Sequence, residues 1–194
     1  SVGSALLAEA LPERVLHQLT GCTKAATVIL HLPLRDVRPQ VLVDWIKLHE
    51  RGTGKLIFSL TWDGSSSLQR RFPIELKQAL RTELDRSVRW FESDEGVSPA
   101  AIAKLGLIDE GYDFTIVEDR DTAYIAVTRE VQNADRWTEI DMERPRRNAK
   151  NGMTPPKLAQ IMINLAEPSK KIYDPFCGTG TFLMEALLMG KHGL

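Results

Sequence analysis

The sequence predicts an α/β protein, in which a compact unit of mixed helices and strands precedes the start of a second domain. Strand-like apolar runs alternate with helical patterns through residues 24–128, an arrangement typical of helices packed on a sheet. Residues 129–152 are less hydrophobic and carry clustered basic side chains, as expected of a linker. A short apolar run at Lys171 then enters a loop with two glycines and a helical pattern, which indicates a strand, a tight loop and a helix.

Strands in the first part are predicted from short apolar and β-branched runs bounded by turn residues. They are residues 25–32, 55–62, 88–91, 112–116 and 123–127. The last two form the clearest pair, because Tyr112, Phe114 and Ile116 alternate with polar residues and Asp119-Arg120-Asp121 provides a turn.

Helices are placed by proline near their starts and by glycine near their ends. The predicted helices are residues 1–20, 41–49, 99–104 and a longer helix that starts at Pro73. In this longer helix Leu76, Leu80 and Leu84 recur every four residues and form one apolar face. Helices interleaved with strands in this way indicate a mixed sheet with helices packed against it.

The second domain is expected to begin near residue 153, where Thr154-Pro155-Pro156 starts a further helix. Its apolar positions follow the i, i+3, i+4, i+7 pattern of one helix face: Leu158, Ile161, Met162 and Leu165. Pro168 ends this helix, and the strand at Lys171 follows at once. Since a single strand, loop and helix cannot bury a sheet, we expect the chain to be part of a longer protein.

Composition argues against several classes of protein. The 194 residues are 43% hydrophobic and 26% charged with a net charge of −1, so the whole protein has no general electrostatic attraction to nucleic acid. No apolar run reaches the roughly 18 residues of a membrane span, and no basic segment precedes the weakly apolar start. Cys22 and Cys177 stand far apart without neighbouring histidines, so we expect no metal site, no disulfide and a cytoplasmic location.

The glycine loop, Asp174-Pro175-Phe176-Cys177-Gly178-Thr179-Gly180-Thr181, is the most specific motif of the chain. A phosphate-binding P-loop would need lysine after its last glycine, and a dinucleotide-binding loop would need a third glycine where Leu183 stands. The remaining pattern, Asp-Pro-Phe-x-Gly-x-Gly, resembles the first motif of S-adenosylmethionine-dependent methyltransferases of the amino-group type. Its glycines let a ligand approach the main chain, and the following helix points its positive end toward the same space.

Beyond this loop, the chain resembles the archaeal and eukaryotic tRNA guanosine methyltransferases, in which an RNA-binding THUMP domain precedes a Rossmann-like methyltransferase domain. Besides the glycine loop, the resemblance rests on four stretches: Gly21-Cys22-Thr23-Lys24, Thr128-Arg129-Glu130-Val131-Gln132, Asp141-Met142-Glu143-Arg144-Pro145 and Gly152-Met153-Thr154-Pro155-Pro156-Lys157-Leu158-Ala159. It implies a ferredoxin-like region at residues 1–70, a THUMP-like RNA-binding domain at residues 71–130, a basic linker at residues 131–152 and the start of a Rossmann-like domain at residues 153–194.

The resemblance implies an S-adenosylmethionine-dependent RNA methyltransferase that modifies the exocyclic amine of a guanosine in tRNA. It assigns cofactor contacts to Thr154, Pro155, Asp174, Pro175, Phe176, Gly178, Thr179, Gly180 and Thr181. The family's catalytic motif, Asn- or Asp-Pro-Pro-Tyr, does not occur in these residues and is expected beyond Leu194. The basic residues best suited to RNA phosphates are Lys77, Arg81, Arg86, Arg89, Arg144, Arg146 and Arg147.

Two other functions remain open from the sequence. A DNA amino-methyltransferase acting on adenine or cytosine would use the same cofactor half, and a degenerate paralogue would bind RNA without catalysis. The structure of the first 150 residues distinguishes the RNA methyltransferase from the DNA methyltransferase. An α/β RNA-binding module there favours RNA as the substrate, whereas a helical or absent module favours DNA.

Overall fold

The computed structural model describes residues 20–93, 96–143, 153–166 and 171–193. The described residues form two compact units. The first unit contains Lys24–Val131, and the second contains residues 20–23 together with the residues from Gln132 onward. Among the described residues, no helix has the length and apolar character that a membrane span requires. The predicted helix at residues 1–20 lies almost wholly outside the described residues.

The first unit is built on one five-stranded mixed sheet. Its strands are β1 (Lys24–Pro33), β2 (Leu56–Asp63), β3 (Val88–Phe91), β4 (Tyr112–Asp119) and β5 (Thr122–Val131). The order across the sheet is β1-β5-β4-β2-β3. β5 pairs antiparallel with both of its neighbours, whereas β2 pairs parallel with β4 and β3. All five predicted strands of this unit are therefore confirmed, including the β4–β5 hairpin.

Three helices of the first unit connect these strands: α1 (Pro39–Leu48), α2 (Leu68–Glu83) and α3 (Pro99–Lys104). The α3 helix begins as predicted, because the Ser98 side chain accepts a hydrogen bond from the Ala101 amide. The core lies where α1 and α2 cover the sheet. Leu42 of α1, Leu76 of α2 and Phe58 of β2 are all fully buried there, and burying such side chains is the main stabilising contribution to the unit.

The helix α2 starts earlier than the sequence pattern indicated. It begins at Leu68 and places Pro73 inside the helix, buried against the core, instead of at its first turn. The preceding segment is held by Glu118 of β4, whose carboxylate accepts hydrogen bonds from the Ser65 and Ser66 amides. Since Glu118 lies more than 50 residues away in sequence, local periodicity could not locate this start.

The predicted boundary between residues 70 and 71 falls inside α2. Strands from both sides of it pair directly, because β2 lies beside β4 from Phe58 to Asp63. The first unit is accordingly one compact domain, and the proposed division into a ferredoxin-like region and a separate THUMP-like domain at this point is corrected.

The segment predicted as a linker also contains regular structure. Helix α4 (Ala134–Met142) begins after Asn133, whose side chain accepts a hydrogen bond from the Arg136 amide. This local capping contact stabilises the start of the helix. Arg144, Arg146 and Arg147 lie outside the described residues.

The buried carboxylate of Asp113 connects four strands of the first unit by hydrogen bonds. Asp113 of β4 has no solvent exposure, and its carboxylate accepts hydrogen bonds from Lys24 Nζ at 3.0 Å, Ser59 Oγ at 2.7 Å and Thr128 Oγ1 at 2.5 Å. Ser59 and Thr128 are equally buried. Buried charges are stable only when paired and hydrogen-bonded, and this carboxylate meets both conditions.

The remaining elements belong to the second unit. They are α4, α5 (Pro156–Ala166), β6 (Lys171–Ile172), α6 (Thr181–Leu188) and β7 (His192–Gly193). β6 and β7 pair parallel, with Lys171 opposite His192. The predicted order of helix, strand, glycine loop and helix is confirmed.

Candidate cofactor-binding site

The glycine loop occupies residues 173–180, between the end of β6 and the start of α6. Two internal hydrogen bonds shape it. The Asp174 carboxylate accepts from the Phe176 amide at 3.1 Å, and the Gly180 amide donates to the Cys177 carbonyl at 2.6 Å. Asp174 is half-buried, whereas the loop residues that follow it through Gly178 are exposed. The loop is thus a tight turn whose outer surface is open to a ligand.

Gly180 is required by its backbone conformation. Its φ of 80° lies in the left-handed region, and a Cβ placed there would meet no other atom within 4 Å among the described residues. A side chain at this position would therefore be strained by the backbone angle, at about 1–2 kcal/mol, and not by a clash. The space beside the Gly180 backbone is open, which is the condition for a ligand to approach the main chain.

The start of α6 suits an anionic or polar group. Gly180 occupies the N-cap position and has no side chain with which to cap the first turn. The amides of a first helical turn lack partners within the helix and carry the positive end of its dipole. Thr181, the first residue of the helix, is buried and takes part in a polar contact of the protein.

Two large apolar side chains of the loop are exposed. Phe176 is 91% exposed and Tyr173 is 75% exposed. Thr154 and Pro155, the other predicted cofactor residues, immediately precede α5 in the same unit. Thr154 is half-buried and Pro155 is exposed.

A polar network that the sequence analysis did not identify connects α5 and α6. Gln160 of α5 donates to the Glu185 carboxylate of α6 at 2.6 Å, and it accepts a hydrogen bond from the Thr20 hydroxyl at 3.1 Å. Glu185 is 3% exposed. Gln132 donates to the Thr20 carbonyl and accepts from Lys157 Nζ at 2.6 Å.

Only part of this network carried a sequence signal. Gln132 and Lys157 belong to stretches that resemble the methyltransferase family, whereas Thr20 is separated from Gln160 by 140 residues. The network positions the helix that follows the glycine loop.

The predicted RNA contacts fall into three groups. Arg81 of α2 and Arg89 of β3 are exposed, and Lys77 of α2 is half-buried. The Arg86 guanidinium is instead almost fully enclosed, with its side chain 8% exposed, and it donates hydrogen bonds to three carbonyls of the loop at residues 51–54. This corrects the prediction for Arg86, because its donors are engaged by the protein itself. The third group, the linker arginines, lies outside the described residues.

The C-terminal part of the chain is similar to a known protein family. Residues 144–194 match the family described as UPF0020: RMKL-like, methyltransferase domain, and this range contains the whole glycine loop. The candidate site therefore lies in the part of the chain that is similar to a methyltransferase domain.

Individual proteins also resemble parts or most of this chain. The tRNA (guanine(10)-N2)-dimethyltransferase of Pyrococcus abyssi is 53% identical over 36 residues, which cover 19% of this chain and 11% of that protein. The enzyme of the same name from Methanothermobacter thermautotrophicus is 54% identical over 41 residues, or 20% of this chain and 12% of that protein. The crystal structure of TrmN from Thermus thermophilus has a TM-score of 0.49 at 17% identity, covering 95% of this chain and 51% of that one.

Proposed function

We propose that the gene product containing this chain is an S-adenosylmethionine-dependent RNA methyltransferase that modifies the exocyclic amine of a guanosine in tRNA. The observation that carries the proposal is the glycine loop of the methyltransferase segment, where Gly180 combines a left-handed backbone, open adjacent space and the start of a helix. Gly190 also has a positive φ and open space at its Cβ, so what distinguishes Gly180 is its place at the helix start within the Asp-Pro-Phe-x-Gly-x-Gly motif.

The residues of the loop fit the cofactor. The amides at the start of α6 and its positive dipole end favour the cofactor's carboxylate. The half-buried Asp174 carboxylate is a suitable acceptor for its ammonium group. The exposed Phe176 ring offers an apolar surface beside the turn. Pro175, Gly178 and Thr179 complete the loop, Thr181 begins α6, and Thr154 and Pro155 precede α5 in the same unit. When bound, the cofactor supplies a methyl group on a positively charged sulfur, which an amine nitrogen can attack.

The RNA substrate is supported by three observations. The relatives with more than half of the matched residues identical are named as tRNA guanine-N2 dimethyltransferases. The first unit is an α/β domain, the type of module that favours RNA over DNA as the substrate. Arg81 and Arg89 are exposed on it and available for phosphate contacts. A target base must leave its stack before an enzyme can reach its amine, and residues of the first unit would hold the RNA during this step.

Transfer of labelled methyl groups to tRNA transcripts tests the proposal. The gene product containing this chain should label tRNA at guanosine N2, and Gly180→Val should abolish S-adenosylmethionine binding in calorimetry. Gly190→Val is the matched control, because Gly190 also has a positive φ of 72° with open space at its Cβ, but it lies at the opposite end of α6. It should therefore introduce similar strain while retaining cofactor binding.

Each alternative predicts a different result. Labelling of adenine or cytosine in DNA, with none in RNA, would favour a DNA amino-methyltransferase. RNA binding with neither cofactor binding nor methyl transfer would favour a non-catalytic paralogue. Equal cofactor binding by the Gly180→Val and Gly190→Val variants would show that the glycine loop does not hold the cofactor.

A further inference from the structure

Helix α6, which the glycine loop enters, has few apolar contacts that could fix its position. It has eight residues, and helices shorter than about 12–15 residues are marginal in water unless they pack against other elements. Its buried residues are Thr181, Glu185 and Ala186, so no large apolar side chain of α6 is fully buried. Leu187 and Leu188 are 62% and 71% exposed. The placement of α6 therefore depends strongly on the polar contacts of its buried face.

A chain of hydrogen bonds provides such a contact. The Glu185 carboxylate accepts from Gln160 Nε2 at 2.6 Å, and Gln160 Oε1 accepts from the Thr20 hydroxyl at 3.1 Å. Asn164, one turn beyond Gln160 on α5, donates to the same hydroxyl oxygen at 3.4 Å. The donors are ordered toward the Glu185 carboxylate, and hydrogen bonds to a charged acceptor are the stronger ones. The chain thus joins α6 to α5 and to the segment before β1.

Thr20 is the member of this chain that lies farthest from the glycine loop in sequence, and it is 1% exposed. Its carbonyl accepts a further hydrogen bond from Gln132 Nε2 at 3.1 Å, and Gln132 in turn accepts from Lys157 of α5. Thr20 precedes β1 and Gln132 follows β5, so both lie outside residues 144–194. The segment that is similar to a methyltransferase domain is consequently held by residues from both sides of the first unit in sequence.

The position of α6 matters for the loop because the two are continuous. Gly180 is the N-cap of α6, and Thr181 lies one turn before Glu185 on the same buried face. Hydrogen bonds are directional, whereas apolar contacts are not. A leucine in place of Glu185 would fill similar space but leave Gln160 Nε2 without its acceptor. The helix could then shift on α5 and displace the amides at its start, and binding groups must be held within about 0.5 Å of their working geometry.

We propose that Thr20 and Glu185 are positioning residues for the cofactor, because the hydrogen-bond chain between them sets the place of α6 and of the glycine loop. Thr20 acts through Gln160, and Glu185 acts through the helix to which it belongs. The inference rests on the proposed function for the identity of the ligand, S-adenosylmethionine. The order of the loop in the absence of ligand does not depend on that function and can be measured separately.

Hydrogen exchange of the amides of residues 178–182, measured without cofactor on the gene product containing this chain, tests the positioning directly. Thr20→Val keeps the side-chain shape but removes the hydroxyl, and Glu185→Leu removes the acceptor. Exchange of these amides should become about five- to tenfold faster in each variant. Glu185→Gln retains an acceptor for Gln160 and should keep the protection of the parent. Thr23→Val is the matched control, because Thr23 lies exposed in the same segment, and it should leave exchange unchanged.

Calorimetric titration with S-adenosylmethionine, well below the unfolding midpoint, measures the consequence for the ligand. Thr20→Val and Glu185→Leu should weaken binding about five- to tenfold, whereas Thr23→Val and Glu185→Gln should bind as the parent does. In methyl transfer, KM for the cofactor should rise while KM for tRNA stays the same, which a general loss of folded protein would not produce. Thermal unfolding identifies folding defects, and Thr20→Val still tests the proposal if Glu185→Leu does not fold.

Equal exchange rates in Thr20→Val, Glu185→Leu and Thr23→Val would overturn the proposal. Parent-like cofactor affinity in both Thr20→Val and Glu185→Leu would overturn it as well, because the chain would then stabilise the fold without positioning the loop. Faster exchange in these two variants of a protein that binds no S-adenosylmethionine would support the positioning role and contradict the proposed function. The failure of the one is therefore distinguishable from the failure of the other.

Discussion

Replacement of Asp113 by alanine should destabilise the first unit more than any exposed charge change. Asp113 is fully buried, and its three donors come from β1, β2 and β5. After the substitution, Lys24 can turn toward water, because its side chain is already 24% exposed. The Ser59 and Thr128 hydroxyls cannot do so, since both residues are fully buried.

The expected cost follows from these differences in exposure. Two buried hydroxyls without their acceptor cost about 1–3 kcal/mol each, and loss of one partner from a buried ion pair costs about 3–5 kcal/mol in total. We therefore expect Asp113→Ala to lower the free energy of unfolding by about 3–5 kcal/mol. Ser59→Ala or Thr128→Val removes one donor while the carboxylate keeps the others, and each should cost about 1 kcal/mol.

Urea unfolding followed by tryptophan fluorescence measures these changes. Trp45, Trp62 and Trp90 all lie in the first unit, whereas Trp137 lies in the second. A Trp137→Phe background therefore restricts the signal to the first unit. Asp119→Ala, at an exposed position of the same strand, is the control and should stay within about 0.5 kcal/mol of the parent.

The reasoning would be refuted if Asp113→Ala cost no more than Asp119→Ala. It would also be refuted if Lys24→Met and Asp113→Ala were additive, because partners in one buried ion pair must show coupling. The double variant should be less unstable than the sum of the two single changes.

Two further predictions concern charged groups near the first-unit loops. Arg86→Ala should lower the free energy of unfolding by about 1.5–3 kcal/mol, since its guanidinium binds loop carbonyls. Arg81→Ala should leave stability unchanged and weaken RNA binding in a low-salt filter assay. If Arg81→Ala destabilised the protein and Arg86→Ala weakened only RNA binding, the roles assigned to these two residues would be contradicted. Burial raises the pKa of the Tyr112 phenol above its ordinary value of 10.0, against the opposing charge of Arg51. Its stabilising contribution should thus be complete below pH 10 and disappear as the pH rises through the folded-state pKa, and urea unfolding between pH 8 and pH 11 should show a loss that Tyr112→Phe lacks.

Most elements were predictable from the sequence because their signals are local, whereas α4, β7 and the start of α2 were not. Alternation at Tyr112, Phe114 and Ile116 predicted β4, and Ser98 followed by proline predicted the start of α3. The glycine loop was equally accessible, since the conformations of Gly178 and Gly180 depend on the residues within the turn itself.

Contacts between residues far apart in sequence were decided only by the tertiary structure. No local pattern indicates that Glu118 holds the start of α2, that Asp113 collects donors from three other strands, or that Arg86 binds loop carbonyls more than 30 residues away. By itself, the sequence determined most of the helices and strands and the glycine loop, because backbone preferences and side-chain periodicity act over a few residues. Which polar groups become buried, and which of them remain unpaired, depended on the order in which the strands assemble.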